Sequence, residues 1–192
     1  DHGAKHFSLP IAKKNFLAIK QYKNLRDIYR EFKPDIIHVR SRFPAWINVL
    51  ALKGLSSSKP IVISTFHGLY SKPFYSKSMS YANDIIAISK TVQEYVFKNY
   101  DVDHSRVHLI YRGCDIDEFN TSAPSEAWSN SWYKEFPQTS DKILLTLPGR
   151  ITGWKGIEDF LKLLSQLDQA KYHGLIPGPV NENKKRYFQS LL

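Results

Sequence analysis

Six short apolar runs recur along the chain, each flanked by polar residues or turn formers. They span residues 35–39, 61–65, 84–88, 107–111, 142–146 and 172–178. Most are rich in Ile, Leu and Val at consecutive positions, a pattern typical of parallel strands that are buried on both faces. The pattern therefore predicts six strands, and the first four are expected to be neighbours in one parallel sheet.

Stretches with helical periodicity separate these strands. Residues 12–33 carry an apolar stripe at helical spacing together with many lysines and arginines, and Pro34 ends the pattern. Shorter helices are predicted at 44–53, 89–100, 157–167 and 182–191, with Ser89 as the N-cap of the second. Strands that alternate with helices favour an α/β protein with a Rossmann-like, doubly wound parallel sheet.

The glycine-bearing segment 147–156, called the basic turn below, concentrates the candidate chemistry. It joins a predicted strand to a predicted helix, and the unpaired N–H groups at a helix start favour an anion. Arg150 and Lys155 add two positive charges beside Gly149, with Lys155 expected in the first turn of the helix. The pattern predicts a clamp for a diphosphate, although a turn whose charges are merely solvated fits it about as well.

Two better-known phosphate motifs are excluded at the basic turn. Gly149 and Gly153 enclose three residues and Lys155 precedes Gly156, whereas a P-loop has four residues followed by Gly-Lys and Ser or Thr. The dinucleotide fingerprint has one residue between its first two glycines. Neither class of nucleotide-binding loop therefore applies.

Composition narrows the classes of protein that fit. A chain of 192 residues, 42% of them hydrophobic, has enough apolar surface to bury a core. Its single cysteine, Cys114, excludes an internal disulfide framework and agrees with a reducing compartment. No run of eighteen apolar residues is present, so we expect no membrane-spanning helix.

The positive charge is concentrated in the first third of the chain. Residues 1–60 contain 12 Lys and Arg against 4 Asp and Glu, whereas residues 61–192 contain 15 against 14. Such a surface favours an anionic partner, which could be membrane phospholipid, nucleic acid or a charged substrate. A plain solvated surface explains the charge equally well.

Five motifs follow the predicted strands in a characteristic order. They are Pro34-Asp35-Ile36-Ile37-His38, Thr65-Phe66-His67-Gly68, Ala87-Ile88-Ser89, Tyr111-Arg112-Gly113-Cys114-Asp115 with Phe119, and Pro148-Gly149-Arg150 with Trp154-Lys155-Gly156. No single motif is specific, but the five in this order resemble the retaining glycosyltransferases of family 4. That family has the two-lobed GT-B fold, so the resemblance implies most of the first lobe and the start of the second.

The resemblance implies roles for particular residues. Arg150 and Lys155, with Gly149, would bind the diphosphate of the donor, in agreement with the charge of the basic turn. His67 would be the catalytic residue that faces the donor sugar across the cleft; from the residues alone, a His that caps a neighbouring loop is the alternative. N-capping alone explains Ser89. Arg40 and Arg42 are candidates for the acceptor or membrane side.

The predicted organisation is an acceptor-side lobe at 1–119, a connector at 120–140 and the opening of a nucleotide-sugar-binding lobe at 141–192. The connector is rich in Ser, Asn, Trp and Pro and has no clean period. Family members begin with a strand and glycine-rich loop that would precede Asp1, and they carry two glutamates that would follow Leu192. We therefore expect either a fragment of a longer enzyme or a truncated relative that is inactive alone.

The function implied by the resemblance is transfer of a sugar from a nucleotide-sugar donor to a lipid-linked or saccharide acceptor. Lipopolysaccharide or another surface glycan would be the product. Fixed Arg and Lys charges would stabilise the departing diphosphate, so we expect a reaction that needs no metal and no cofactor. The family retains anomeric configuration. We expect such an enzyme in the cytoplasm, peripheral on the inner face of the cell membrane.

Two alternatives remain open. Asp115-Ile116-Asp117 has the spacing by which other glycosyltransferases bind a divalent cation, although it coincides with the family's turn at the lobe boundary. The other alternative is a non-catalytic basic module that grips nucleic acid or anionic membrane through helix 12–33, Arg40 and Arg42. No recognised nucleic-acid motif accompanies these residues, so we expect no nucleic-acid partner.

Overall fold

The computed structural model describes residues 3–11, 16–55, 59–70 and 73–192. The chain divides into two compact units, Asp1–Ile116 and Asp117–Leu192. Within the described residues each unit has a parallel sheet of its own, with four strands in the first unit and two in the second. The predicted α/β class with parallel strands is confirmed.

The first unit alternates helices with strands. In chain order its elements are α1 Phe16–Lys20, α2 Tyr22–Phe32, β1 Ile36–Val39, α3 Arg42–Leu52, β2 Ile61–Phe66, α4 Pro73–Ser80, β3 Asp84–Ala87, α5 Lys90–Asn99 and β4 Val107–Leu109. The strands lie in the order β1-β2-β3-β4, so the first four predicted strands are confirmed as parallel neighbours. The last of them is shorter than predicted, because it ends at Leu109.

One face of the four-stranded sheet forms the core of this unit. Successive side chains of a strand point to opposite faces, and the buried face carries Ile37, Val39, Val62, Phe66, Ile85, Ala87 and Val107. These residues cluster with Ala45 of α3, Met79 of α4, and Val92 and Val96 of α5. Helices α3, α4 and α5 therefore cover that face.

Polar contacts join the helices around this core. The Tyr29 hydroxyl of α2 donates to Asn48 Oδ1 of α3 at 2.8 Å. The Arg26 guanidinium donates to the carbonyls of Leu50 and Ala51 at 2.9 and 3.0 Å, so it supplies side-chain donors to two carbonyls in the last turn of α3. Arg26, counted among the basic residues of the predicted long helix, is thus part of the structure that holds α2 on α3.

The continuous helix predicted at 12–33 is wrong. Residues 12–15 lie outside the described residues, and α1 ends at Lys20 before α2 begins at Tyr22. At the junction the Gln21 backbone N–H donates to the Ala18 carbonyl at 3.2 Å, a tighter turn than that of an α-helix. Helix α2 ends as predicted before Pro34, and Lys33 adopts a left-handed conformation with φ of 49°.

The second unit contains two parallel strands and three α-helices in its described residues. Its elements are α6 Glu126–Glu135, β5 Ile143–Thr146, α7 Ile157–Ser165, β6 Tyr172–Leu175 and α8 Lys185–Gln189, with 3-10 turns at Pro137–Thr139, Gly153–Lys155 and Glu182–Lys184. The predicted strand 172–178 ends at Leu175, because Pro177 has no N–H to continue the ladder. Helix α7 is confirmed, although it stops at Ser165, before Leu167.

Helices α4 and α6 escaped the sequence pattern. Helix α6 lies within the segment 120–140, in which no regular element was expected. Its N-cap Ser125 accepts from the Trp128 N–H at 3.3 Å, and the rings of Trp128 and Trp132 stack with centroids 5.6 Å apart. A cap and an aromatic pair at i, i+4 stabilise a helix whose apolar positions are too few to give a stripe.

None of the helices in the described part of the chain is both long and apolar enough to cross a bilayer.

Candidate active site

The carboxyl edge of the four-stranded sheet gathers polar side chains from several strands. Arg40 follows β1, His67 follows β2, Ser89 follows β3, and Arg112 lies three residues beyond the end of β4. Because the strands are parallel, these ends meet at one edge, which is where open α/β sheets place their ligands. The edge is therefore the candidate site of the first unit.

His67 and Arg112 are in direct contact at this edge. Arg112 Nη2 lies 2.8 Å from His67 Nδ1, and the His67 backbone N–H donates to the Tyr70 hydroxyl at 3.2 Å. Desolvation lowers the pKa of His67 below its ordinary value, and the positive charges of Arg112 and Arg40 and the nearby His38 lower it further. The structure thus fixes both the backbone and the ring of the predicted catalytic histidine.

The two arginines predicted for the acceptor side have different surroundings. Arg40 is exposed, and its charge acts on His67. The Arg42 guanidinium lies over the rings of Tyr70 and Tyr75, 4.8 and 5.2 Å from their centroids, in the geometry of a cation–π contact. The structure therefore brings Arg40 to His67 and holds Arg42 against aromatic rings.

Ser89 serves as a helix cap. Its Oγ accepts from the Val92 N–H at 3.2 Å, and its extended backbone, with φ of −158°, is that of an N-cap residue. The prediction that Ser89 is the N-cap of this helix is confirmed. Its place at the carboxyl edge follows from its role at the start of α5.

In the second unit, backbone pairing holds the basic turn against the segment that follows β6. The N–H groups of Leu147, Gly149 and Ile151 donate to the carbonyls of Leu175, Pro177 and Pro179 at 2.9, 2.9 and 3.2 Å. A Cβ atom added at Gly178 would lie 1.8 Å from the Gly149 carbonyl oxygen, so this close approach requires glycine at 178. The loop is a defined structure in which each turn supports the other.

The cations of the basic turn lie just ahead of α7. Lys155 Cδ and Cε lie 3.7 Å from the position of a Cβ on Gly149, and Lys155 Nζ lies 4.4 Å from the ring centroid of Trp154. Arg150 is exposed. The prediction that Lys155 lies in the first turn of the helix is wrong, since Gly156, with φ of 72°, separates a 3-10 turn from α7.

This separation changes the electrostatics of the turn. The first turn of α7 carries Glu158 and Asp159, whose carboxylates already complement the positive end of the helix. An anion at the basic turn would therefore depend on Arg150, Lys155 and the backbone before Gly156, and less on the dipole of α7. The side chains of Arg150 and Lys155 would therefore contribute most of the predicted diphosphate clamp.

The described residues provide no cluster of ligands for the alternative in which the enzyme binds a divalent cation. Among the described residues, no group of three or more His, Cys, Asp or Glu side chains is arranged to hold a metal ion. Asp115 and Asp117 each have interactions of their own within the chain. Whether the reaction uses a metal stays a prediction.

Two residues of these sites were missed by reasoning from the sequence. Arg112 was part of a motif but had no assigned contact with His67, and Gly178 was not considered. The signal for Arg112 was its position shortly after a predicted strand, since the ends of neighbouring parallel strands meet. No pattern in the sequence pairs Gly178 with Gly149, because they are 29 positions apart and the contact depends on where β6 ends.

Comparison with known proteins gives a consistent group of matches. Residues 2–118 match the family model described as Glycosyltransferase Family 4. Over 81 residues the chain is 28% identical to an uncharacterized glycosyltransferase of Methanocaldococcus jannaschii, a region that is 42% of this chain and 19% of that protein.

Solved structures resemble the chain over nearly its whole length. A glycosyltransferase from Rickettsia africae has 25% identity and a TM-score of 0.74, with 98% of this chain and 49% of that one covered. The lipopolysaccharide outer core galactosyltransferase WaaB, in its apo form, has 18% identity and a TM-score of 0.60, with 92% and 46% covered. The WaaB likeness concerns the fold alone. The chain thus spans about half the length of the solved structures it matches.

Proposed function

The chain belongs to glycosyltransferase family 4, whose model covers more than half of it, and we propose that it transfers a sugar from a nucleotide-sugar donor. The proposed acceptor is a lipid-linked or saccharide glycan of lipopolysaccharide or another surface polymer. The proposed reaction retains anomeric configuration and needs no metal or other cofactor. The acceptor class is proposed by analogy, since WaaB, a neighbour in fold, is a lipopolysaccharide outer core galactosyltransferase.

The basic turn is the observation that carries this proposal. It offers two cations at the end of a parallel strand, on a loop whose backbone is fixed by three hydrogen bonds, one to the last residue of β6 and two to the segment after it. A nucleoside diphosphate needs positive groups that do not have to be reorganised when it binds. Packing of the Lys155 chain beside Gly149 and of its ammonium over Trp154 supplies that order.

The proposed chemistry follows from where charge develops. As the bond from the anomeric carbon to the diphosphate breaks, the sugar becomes oxocarbenium-like and negative charge grows on the leaving oxygen. Arg150 can meet two phosphate oxygens with parallel hydrogen bonds, and Lys155 contributes a compact charge. Interactions that strengthen with this charge lower the barrier, because they are stronger in the transition state than in the ground state.

Binding of nucleoside diphosphates tests the clamp. We expect UDP or GDP to bind the 192-residue chain in a calorimetric titration, and Arg150→Ala and Lys155→Ala each to weaken binding by about tenfold or more. Lys155→Arg should recover only part of the affinity, since a planar fork replaces an ammonium. In a protein that turns over, each alanine variant should lower turnover by roughly two to three decades.

Lys162→Ala is the matched control for this titration. Lys162 is an exposed lysine of α7 outside the basic turn, so its loss removes the same charge from the unit. Equal affinities in Arg150→Ala, Lys155→Ala and Lys162→Ala would contradict the clamp. Loss of binding on addition of a chelator would favour the metal alternative, with Asp115 and Asp117 as the next residues to substitute.

We further propose that the protein acts at the inner face of the cell membrane, with α1 as the contact. Phe16 and Leu17 are 70% and 68% exposed, and exposed lysines Lys20 and Lys23 follow them. Exposed apolar side chains beside cations are typical of segments that lie in the interface of anionic bilayers. Each cation near such a surface contributes about 1 kcal/mol.

Vesicle binding tests the membrane proposal. We expect the chain to bind phosphatidylserine vesicles and not phosphatidylcholine vesicles at low salt, and Phe16→Ser with Leu17→Ser to weaken binding. The control is Phe119→Ser, an equally exposed aromatic beside Asp117 and Glu118. Equal binding to neutral and anionic vesicles would contradict the proposal, and stronger binding to duplex DNA would support the alternative of a nucleic-acid module.

A further inference from the structure

A single hydrogen bond defines the state of the His67 ring. Arg112 Nη2 lies 2.8 Å from His67 Nδ1. A guanidinium has only donors, so it cannot accept a hydrogen from the ring, and Nδ1 must accept with its lone pair. In a neutral imidazole the hydrogen then resides on Nε2.

We propose that Arg112 is a positioning residue that holds His67 as a neutral imidazole with its hydrogen on Nε2. If His67 serves the transferase function proposed above, it then acts as a hydrogen-bond donor to an oxygen of the substrate. It cannot act there as a general base, because Nε2 already carries a hydrogen and Nδ1 is occupied by Arg112. The inference assigns a role to Arg112 and a chemical form to His67.

The charges around the ring support this form. Arg112 approaches from the segment after β4, and Arg40 and His38 approach from β1. Tyr70, in the loop after β2, contacts the His67 backbone through its hydroxyl. Adding a proton to Nδ1 of this ring would break the bond to Arg112 and create an imidazolium beside the Arg112 guanidinium, in the field of the positive charge of Arg40. Desolvation, and after it the charges of Arg112, Arg40 and His38, lower the pKa of His67, in agreement with a ring that stays neutral near pH 7.

The neighbouring His38 differs from His67 in this respect. His38 Nε2 lies 2.7 Å from Thr65 Oγ1, and a hydroxyl can donate or accept, so that contact leaves the tautomer of His38 open. A partner that can only donate, such as the Arg112 guanidinium, removes that ambiguity at His67, as a partner that can only accept would also do. His38 is therefore an internal reference for any measurement on His67.

Nitrogen-15 NMR of the histidine rings tests the inference on the 192-residue chain. We expect the His67 signals to show a fully unprotonated Nδ1 and a protonated Nε2 near pH 7, with a titration midpoint below that of a model histidine. Substitution His67→Gln assigns the signals by their loss. A ring that is charged at pH 7, or that carries its hydrogen on Nδ1, would overturn the inference.

Three arginine variants separate the hydrogen bond from the charge. Arg112→Met should mix the two tautomers and raise the midpoint, whereas Arg40→Met should raise the midpoint and leave the tautomer unchanged. Arg112→Lys keeps one charged donor and should keep the Nε2 hydrogen. Because Arg112 is exposed, its variants should fold, which backbone amide spectra will verify. An Arg112→Met spectrum identical to the parent would overturn the role of Arg112.

Binding of nucleotide sugars tests the donor role separately. With UDP-glucose or GDP-mannose as probe, His67→Ala should lose about threefold to tenfold in affinity, and His67→Gln, whose amide still donates, should lose less. Equal losses in the two variants would overturn the donor role. If the parent chain binds neither probe, the proposed transferase function fails, while the NMR result on Arg112 and His67 still stands or falls by itself.

Discussion

The two faces of the four-stranded sheet carry similar aliphatic side chains in very different surroundings. On one face Phe66 and Ile85 are 0% exposed. On the other, Ile36 and Ile61 remain 56% and 51% exposed. The faces differ because the strand order is sequential: connections between parallel strands are right-handed, so crossovers that all advance in one direction put their helices on the same face.

The two faces of the sheet show how much a run of isoleucines can predict about a strand. The pairs Ile36-Ile37 and Ile85-Ile86 each supply one side chain to each face, and such a run is typical of a strand covered on both sides. The apolar runs therefore identified the strands. Which face the helices cover depends on the order of the strands in the sheet, and that order is not written in any single run.

The largest expected effect is at Phe66. Its ring lies between those of Tyr70 and Tyr100, with centroids 5.5 and 5.4 Å away, so Phe66→Ala leaves a cavity that these rings can fill only in part. We expect a loss of about 3–5 kcal/mol in the free energy of unfolding, measured by urea denaturation. Phe74→Ala, at a position 82% exposed on α4, should change it by less than about 0.5 kcal/mol.

A second expected effect uses adjacent residues of β3 as a matched pair. Ile85→Ala should cost about 2–5 kcal/mol, because the side chain is fully buried in the core. Ile86→Ala, on the half-exposed face, should cost about 1 kcal/mol. Equal losses would contradict the difference between the two faces, since they would mean that the half-exposed face, on which Ile86 lies, is covered in solution. A stability that rises with protein concentration would then identify a second copy as the cover.

The sequence predicted the strands of the first unit better than the helices of either unit. Strands such as β2 and β3 are defined by local composition, and all four lie where expected. The break at Gln21 depends on a turn between two helical segments with the same period. Helix α6 depends on a cap at Ser125 and on stacked tryptophans, which give no apolar stripe. Contacts at helix ends and between aromatic rings stabilise a helix without giving the sequence a regular spacing of apolar residues.

In the candidate site of each unit, too, some residues could be predicted from the sequence and others could not. His67, Arg150 and Lys155 could be named because each belongs to a motif at a strand end. The bond from Arg112 to His67 joins residues 45 positions apart, and the contact of Gly178 with Gly149 depends on the register of β5 with β6. Register and loop length decide such contacts, and neither follows from the motif itself. The proton position on His67 therefore required the structure.

The smallest expected effect concerns Asp84 and His108, a polar pair on the half-exposed face. Asp84 Oδ1 lies 2.7 Å from His108 Nε2, and the two side chains are 42% and 47% exposed. Solvent screens such a pair, so Asp84→Asn should lower the free energy of unfolding by less than about 1 kcal/mol, and by less still in high salt. Urea denaturation at low and high ionic strength measures both effects. A loss as large as that of Ile85→Ala, unaffected by salt, would show that this pair is buried in solution and that the two faces of the sheet are equally covered.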